Sequence, residues 1–419
     1  MDLKMPEPVR VMHFADAHFG VELHGKQDPE TGLNTRLLDF KLSLSTAIEM
    51  ALKEGIHLAV FAGDAYKSRD PRQTDQREFA LCIRKLTDEG IPVVMLVGNH
   101  DMPIMKGRAN AIEIYRTLGA TNVTIINRPE IHIAQTKAGA VRIAAMPYLM
   151  KGVLMAKEDF QGLSLEQSRI KVEEQYVNYL TNFARKVEEA DDDIPTILMG
   201  HFWASGARLS SRDTGSIDRH EAQVPISALS NPAFDYVALG HIHKHQDLNR
   251  HGQPHIVYCG SPDRIDFGEK DEAKGFCLVE LRKGGADFRF IEVNVGRPML
   301  DIQVDADFDD PTERIVAEIK KHSLRNAIVK LTYKISHGRV ALVRTREIKE
   351  ALSGAWHLAS FNPKVERTAN ERSRQFTDDI SPQKALELYI DSKEELVKHK
   401  ERLMNAANPL FNDLLESGI

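Results

Sequence analysis

From residue 9 to about 295, short apolar runs alternate with longer stretches in which apolar residues return every three or four positions. The first kind reads as buried strands and the second as amphipathic helices packed on one face, which together predict an α/β layered domain. Between Arg36 and Lys53 the residues Leu37, Phe40, Leu44, Ile48 and Leu52 mark one helix face. Ile170, Val177, Leu180, Ala184 and Val187 mark another within 168–189. Five apolar runs predict strands: 9–15, 58–62, 93–97, 197–199 and 236–239. After Gly296-Arg297-Pro298 the pattern shortens to strand (Met299–Val304), helix (Pro311–Lys321), strand (Ala327–Ile335), helix (Thr345–Leu352) and strand (Trp356–Val365), a small separate α/β cap spanning 297–366. Residues 367–380 are polar and basic and read as a linker. From 381 to 419 the pattern is helical, with a capping box at Ser392 and Glu395 and a break at Asn408-Pro409.

The residues just past each strand bring in chemistry. The five runs lead into Asp16-Ala17-His18, Gly63-Asp64, Gly98-Asn99-His100-Asp101, Gly200-His201 and Gly240-His241-Ile242-His243. In sheets of this class ligands collect at the carboxyl ends of the strands. A chain threading those ends brings Asp16, His18, Asp64, Asn99, His201, His241 and His243 to one place. Each fragment alone is ordinary turn chemistry, and a lone histidine is usually a satisfied hydrogen-bonding group. Five of the chain's 17 histidines in such slots, in order, are not. Imidazole, carboxylate and amide oxygen suit divalent manganese, with magnesium, iron or zinc as alternatives. Two such ions can hold the attacking and leaving oxygens of a phosphoester displacement.

With 42% hydrophobic and 28% charged residues the chain has ordinary globular composition, and no apolar run is long enough to span a membrane. The polar start carries no secretory signal. Cys82, Cys259 and Cys277 lie far apart in apolar surroundings, as reduced thiols of a cytoplasmic protein do. The net charge of −6 disfavours indiscriminate coating of nucleic acid, yet phosphate contact needs only a local basic surface. Candidates lie in loops just after the strand ends: Lys67, Arg69, Arg72, Lys106, Arg108, Arg208, Arg212 and Arg264. Each is either part of a phosphate-backbone groove or solvated loop charge. Phe19, Tyr66 and Trp203 are either base-stacking platforms or site-wall packing.

The order DxH, GD, GNHD, GH, GHxH resembles the calcineurin-like metallophosphoesterase superfamily. Finer segments resemble its SbcD family of double-strand-break repair nucleases: HisPheAlaAspAlaHisPheGly (13–20), AlaGlyAspAlaTyr (62–66), AlaSerGlyAla (204–207) and TyrCysGlySerProAspArgIleAspPheGlyGlu (258–269). The resemblance implies a two-sheet sandwich with flanking helices over 1–296. It implies one metal on Asp16, His18, Asp64 and His243, and a second on Asp64, Asn99, His201 and His241, with Asp64 bridging. His100 becomes the catalytic histidine at the leaving oxygen. The implied activity is manganese-dependent: exonuclease on duplex DNA ends and endonuclease on single strands, in the cytoplasm at the nucleoid. The implied partners are an SbcC-like ATPase seated on the 381–419 helices and a second copy of the chain. One position departs from the pattern: Lys67 stands where some members carry a histidine.

Overall fold

A computed structural model describes residues 7–103, 107–150, 162–210, 221–366, 381–391 and 393–416. The linker at 367–380, Lys106, Arg212 and the Ser392 cap lie outside the described residues. The chain divides into two compact units, residues 1–300 with 326–328, and residues 301–325 with 329–419.

The first unit holds two six-stranded sheets. One is built from β1 (Val9–Phe14), β2 (Leu58–Phe61), β3 (Val93–Leu96), β4 (Val123–Ile126), β13 (Gly275–Arg282) and β14 (Gly285–Glu292), in the order β14-β13-β1-β2-β3-β4. The other is built from β5 (Glu130–Thr136), β6 (Gly139–Met146), β7 (Thr196–His201), β10 (Tyr236–Gly240), β11 (Gln246–Asp247) and β12 (His255–Tyr258), in the order β11-β12-β10-β7-β6-β5. Two short strands, β8 (Trp203–Ala204) and β9 (Gln223–Val224), pair with each other beside it in sequence. Strands β1 to β4 are mutually parallel, as are β6, β7, β10 and β12, so each sheet presents its carboxyl ends together.

Alternation along each strand assigns its two faces. In β1 and β2, Val9, Val11, Leu58 and Val60 pack between the sheets with Ile197, Met199, Tyr236 and Ala238. Their neighbours Met12, Phe14, Ala59 and Phe61 face the helices α1 (Thr35–Lys53) and α2 (Gln73–Asp88). The second sheet covers its outer face with the helix Leu165–Ala190 through Val172, Tyr176, Leu180 and Phe183. That helix opens on a capping box, Ser164 with Gln167. The result is the α/β layering that the apolar pattern predicts, in the two-sheet form with flanking helices that the family resemblance implies.

Strands buried on both faces read as continuous apolar runs, which is why all five predicted strands appear: β1, β2, β3, β7 and β10. His13 is a fully buried polar residue between the sheets. Its ring nitrogens sit 3.1 Å from the Tyr236 hydroxyl and 3.2 Å from the Leu239 carbonyl.

The second unit has a three-stranded sheet, β15 (Met299–Asp305), β16 (Ile328–Ser336) and β17 (His357–Glu366), in that order. The helix Pro311–Ile319 starts with proline at its first turn, and the Asp310 side chain accepts from the Glu313 amide. Ile315, Ile319, Leu331 and Ile348 are buried. At the carboxyl end, helices Pro382–Asp391, Glu394–Val397 and Lys400–Glu416 follow. Lys400 ties the first to the last, with Nζ 3.1 Å from Glu387 and 2.7 Å from Asp391. The predicted break at Asn408-Pro409 does not occur, because the last helix runs through Pro409. A proline removes one amide from the helix ladder, and a 17-residue helix absorbs that loss.

Candidate metal centre

The strand-end residues are assembled by backbone that few sequences tolerate. Asp16, His18, Asp64 and His241 all adopt positive φ, at 53°, 44°, 61° and 90°. Such conformations cost free energy in non-glycine residues and persist only where surrounding structure dictates them. Here it does. The Asp16 amide donates to the Gly63 carbonyl at 2.9 Å and the His18 amide to that of Asp64 at 3.2 Å, stitching the loop after β1 to the loop after β2. The preceding glycines are required by space. A Cβ on Gly98 falls 2.2 Å from Asp64 Oδ1, and one on Gly63 falls 2.4 Å from His201 Nδ1.

Asp101 fixes the arrangement from below, although sequence reasoning assigns its carboxylate no part in the site. It accepts the amides of Asp64 (2.9 Å), Ala65 (2.9 Å) and Gly98 (3.0 Å), joining the loops after β2 and β3. Asp16 accepts the His241 amide at 3.0 Å, joining the two sheets at their carboxyl ends. Asp64 Oδ1 accepts the His100 amide at 2.8 Å.

Side-chain nitrogens and oxygens then converge. Three overlapping groups place ligand atoms within 4.8 Å of one another: Asp16 with His18 and His243, His18 with Asp64 and His100, and Asp16 with Asp64 and His201. Asn99 closes the set, its Oδ1 lying 3.0 Å from His201 Nε2 and 3.0 Å from His241 Nδ1. All seven predicted ligands thus meet at one place, together with His100.

The hydrogen bonding orients the ring nitrogens. His201 Nδ1 sits 2.6 Å from the Ala62 carbonyl, which only accepts, so that nitrogen donates there and Nε2 is the atom directed at the Asn99 and Asp64 oxygens. The Nε2 atoms of His18 and His243 face each other at 3.0 Å, and His18 Nδ1 is buried with no hydrogen-bond partner. Imidazole nitrogens and carboxylate oxygens converging in a buried pocket fit a divalent cation, and the nitrogen–oxygen donor set is one such ions accept.

Electrostatics agree. Burial works against the charge of Asp16 and pushes it up to about 6, despite the imidazoles of His243 and His201. Burial also opposes charge on Asp64, but His201 and His100 outweigh it and hold the carboxyl well below its usual range. Burial and the neighbouring Asp64 charge push Asp101 up to about 7. Burial lowers His201, yet Asp64 reverses the balance and raises it to about 9.

His100 is placed differently from the other histidines. Its Nδ1 is 2.9 Å from the Lys67 carbonyl, so it donates there and leaves Nε2 directed away from that contact. Burial lowers its pKa. Lys67 itself is half-buried and contributes its backbone to this contact.

The candidate cations divide. Arg69 is exposed and its Nε donates to the Asn99 carbonyl at 3.1 Å. Arg108 is exposed. Arg208 is exposed and joins Lys244 and Arg250 around a cavity of about 380 Å³. Arg72 is paired with Glu22 and Asp75. Arg264 donates to the carbonyls of Lys270 (3.1 Å) and Glu272 (2.9 Å), so its guanidinium holds the 264–272 loop. Phe19 and Tyr66 are buried against Phe79 and pack the site wall, whereas Trp203 is half-buried.

The chain is similar to known proteins. Residues 9–245 match the calcineurin-like phosphoesterase family, more than half of the chain. The SbcD component of the SbcCD nuclease of Escherichia coli K12 is 25% identical over 302 residues, covering 70% of this chain and 70% of that protein. Its Bacillus subtilis counterpart is 25% identical, covering 70% of this chain and 71% of the relative. The DNA double-strand break repair protein Mre11 of Haloferax volcanii is 26% identical over 320 residues, covering 76% of this chain but only 60% of the relative. The chain therefore belongs to the calcineurin-like phosphoesterase family, and within it to the group formed with the SbcD and Mre11 proteins.

Proposed function

We propose that the chain is a divalent-metal-dependent DNA nuclease that trims duplex ends and cuts single strands, working beside an ATPase subunit in double-strand-break repair. The observation that carries this reading is the convergence of Asp16, His18, Asp64, Asn99, His201, His241 and His243 at the carboxyl ends of strands from both sheets. The names of the SbcD and Mre11 relatives supply the substrate class.

Asp16, His18, Asp64 and His243 would hold one ion, and Asp64, Asn99, His201 and His241 the other. Manganese is the favoured metal. A bound ion pair supplies an activated water and neutralises charge on the phosphate. The protein's own tasks are separable from that. Asp64 spans both ligand sets from one loop that Asp101 fixes. His100, donating to Lys67 through Nδ1, turns Nε2 toward the reacting phosphate; once Nε2 has taken a proton from solvent the imidazolium delivers it to the departing 3′ oxygen. Arg69, Arg108 and the Arg208–Lys244–Arg250 cavity take backbone phosphates beyond the scissile one. Residues 297–366 serve as a DNA-facing cap. The helices from 381 seat the ATPase: Tyr389 is 58% exposed and Val397 46%, apolar surface that a partner groove would cover.

The test offers labelled duplex DNA, bis-p-nitrophenyl phosphate and a phosphopeptide side by side with manganese, then with chelator. Metal-dependent shortening of the duplex, abolished by chelation, is expected. Turnover of only the small ester or the phosphopeptide would overturn the DNA assignment.

A further inference from the structure

One half of the metal centre is held from behind by a buried ion pair outside every strand-end motif. His243 Nδ1 lies 2.8 Å from Glu269 Oε1. The other oxygen, Oε2, accepts the Ile265 amide at 3.0 Å and pairs with Lys274 Nζ at 2.9 Å. Lys274 also donates to the His243 carbonyl (3.1 Å) and to Ser261 Oγ (3.0 Å), and pairs with Glu272 at 3.0 Å. Glu269 and Lys274 are 0% and 1% exposed.

Burying such a pair is rarely a gain in stability, since two charges must be stripped of water. What this one accomplishes is directional. Lys274 and Ile265 pin one carboxylate oxygen, leaving the other in front of His243. An ionised carboxylate only accepts, so Nδ1 must carry the ring proton and Nε2 must be bare. That Nε2 is the atom facing His18 at 3.0 Å. His241, two residues earlier, is turned over: its Nδ1 faces Asn99 Oδ1 at 3.0 Å. Two histidines of one short motif thus present opposite nitrogens, and nothing in the motif itself enforces either choice.

We infer that Glu269, anchored by Lys274, is a positioning residue that selects the tautomer and ring orientation of His243 for the ion held with Asp16 and His18. The inference rests on the metal-centre reading above. A histidine ligand whose second nitrogen is bound in this way typically loses 10–100-fold in metal affinity when that partner is removed.

Glu269→Gln tests it without changing shape. Ile265 and Lys274 still donate to the Oε2 position, so the amide oxygen settles there and the amide nitrogen faces His243 Nδ1. The tautomer should reverse, placing a proton on Nε2. Long-range nitrogen–proton NMR of the full-length chain, labelled at histidine and assigned with His243→Asn, reads the tautomer without metal. Calorimetric titration with manganese reads the ions. The expected result is Nδ1–H in the parent and Nε2–H in Glu269→Gln, with one binding event weakened about 10–100-fold and the other unchanged. Glu272→Gln, which touches Lys274 but not His243, should keep the parent tautomer and both events. Glu269→Gln retaining Nδ1–H and both affinities would overturn the inference. So would an equal loss in Glu272→Gln, which would mark general loosening of the loop. A parent protein that binds no manganese would sink the metal reading instead, while the NMR still reports on Glu269.

Discussion

Both units carry ion pairs on their surfaces, but among the described residues the first alone also buries acidic and basic side chains. In the first, Asp16, Asp64, Asp101, His18 and His201 are essentially removed from solvent, on backbone that in three of them has positive φ. In the second, the ion pairs are on the surface: Arg344 with Asp310 and Glu347, Arg339 with Asp309, Lys321 with Glu318. Buried ionisable groups are costly and strained turns add to the cost, so a fold that keeps both in one pocket has a ligand to hold there. Exposed pairs contribute little and specify little. The difference locates chemistry in the first unit. It leaves the second to act through its exposed surface.

Asp64→Ala should erase this contrast most severely. Nuclease activity should fall below detection, and the manganese-dependent rise in melting temperature should largely vanish, because binding to the folded state alone is what raises it. Elemental analysis still finding two ions per chain would refute the bridging role.

His100→Ala comes next. Loss of a proton-transferring group typically costs about 10²–10⁴ in rate, with manganese and DNA binding retained. Because His100 falls within one of the metal-competent groups, metal lost in step with activity would instead make it a ligand.

His13 extends the contrast into the first unit's core. Burial holds its pKa down, from the usual 6.5 to about 3. The unfolded chain therefore binds one more proton than the folded one between those values, and stability falls as pH drops through that window. The slope from this group is about 1.4 kcal/mol per pH unit. Urea unfolding at stepped pH should show His13→Gln losing about one proton's worth of that slope. An unchanged slope would mean that His13 is not held neutral.

The smallest effect on chemistry belongs to the second unit. A chain ending at Asp379 should fold, bind manganese and degrade DNA at the unstimulated rate. It should fail to co-purify with the ATPase and lose ATP stimulation. A soluble shortened chain that still binds the ATPase would remove the partner role from these helices.

Much of this architecture is legible in the sequence because two periodicities coincide with chemistry. Apolar runs such as 58–62 and 93–97 fit buried strands, and Gly63-Asp64 or Gly98-Asn99-His100 sits where a parallel strand ends. What escapes is what depends on tertiary reach. Asp101 holds a loop 37 positions away, and Glu269 meets His243 across 26. Neither spacing has a period to betray it. Glu269 stands at the end of a family-like segment, 258–269, with no role to read from it. Arg264 shows the converse: a cation after a motif suggests phosphate, while in the fold its donors go to carbonyls. Pro409 likewise suggests a break that the last helix does not make.

The proposed chemistry depends above all on Asp64 joining two ions at the strand ends. Crystals grown with manganese, with data collected at the manganese absorption edge, show this directly. Two anomalous peaks about 3.5–4 Å apart are expected, with Asp64 between them, His18 and His243 on one and His201 and His241 on the other. A single peak, or two peaks that do not share Asp64, would contradict the bridging role.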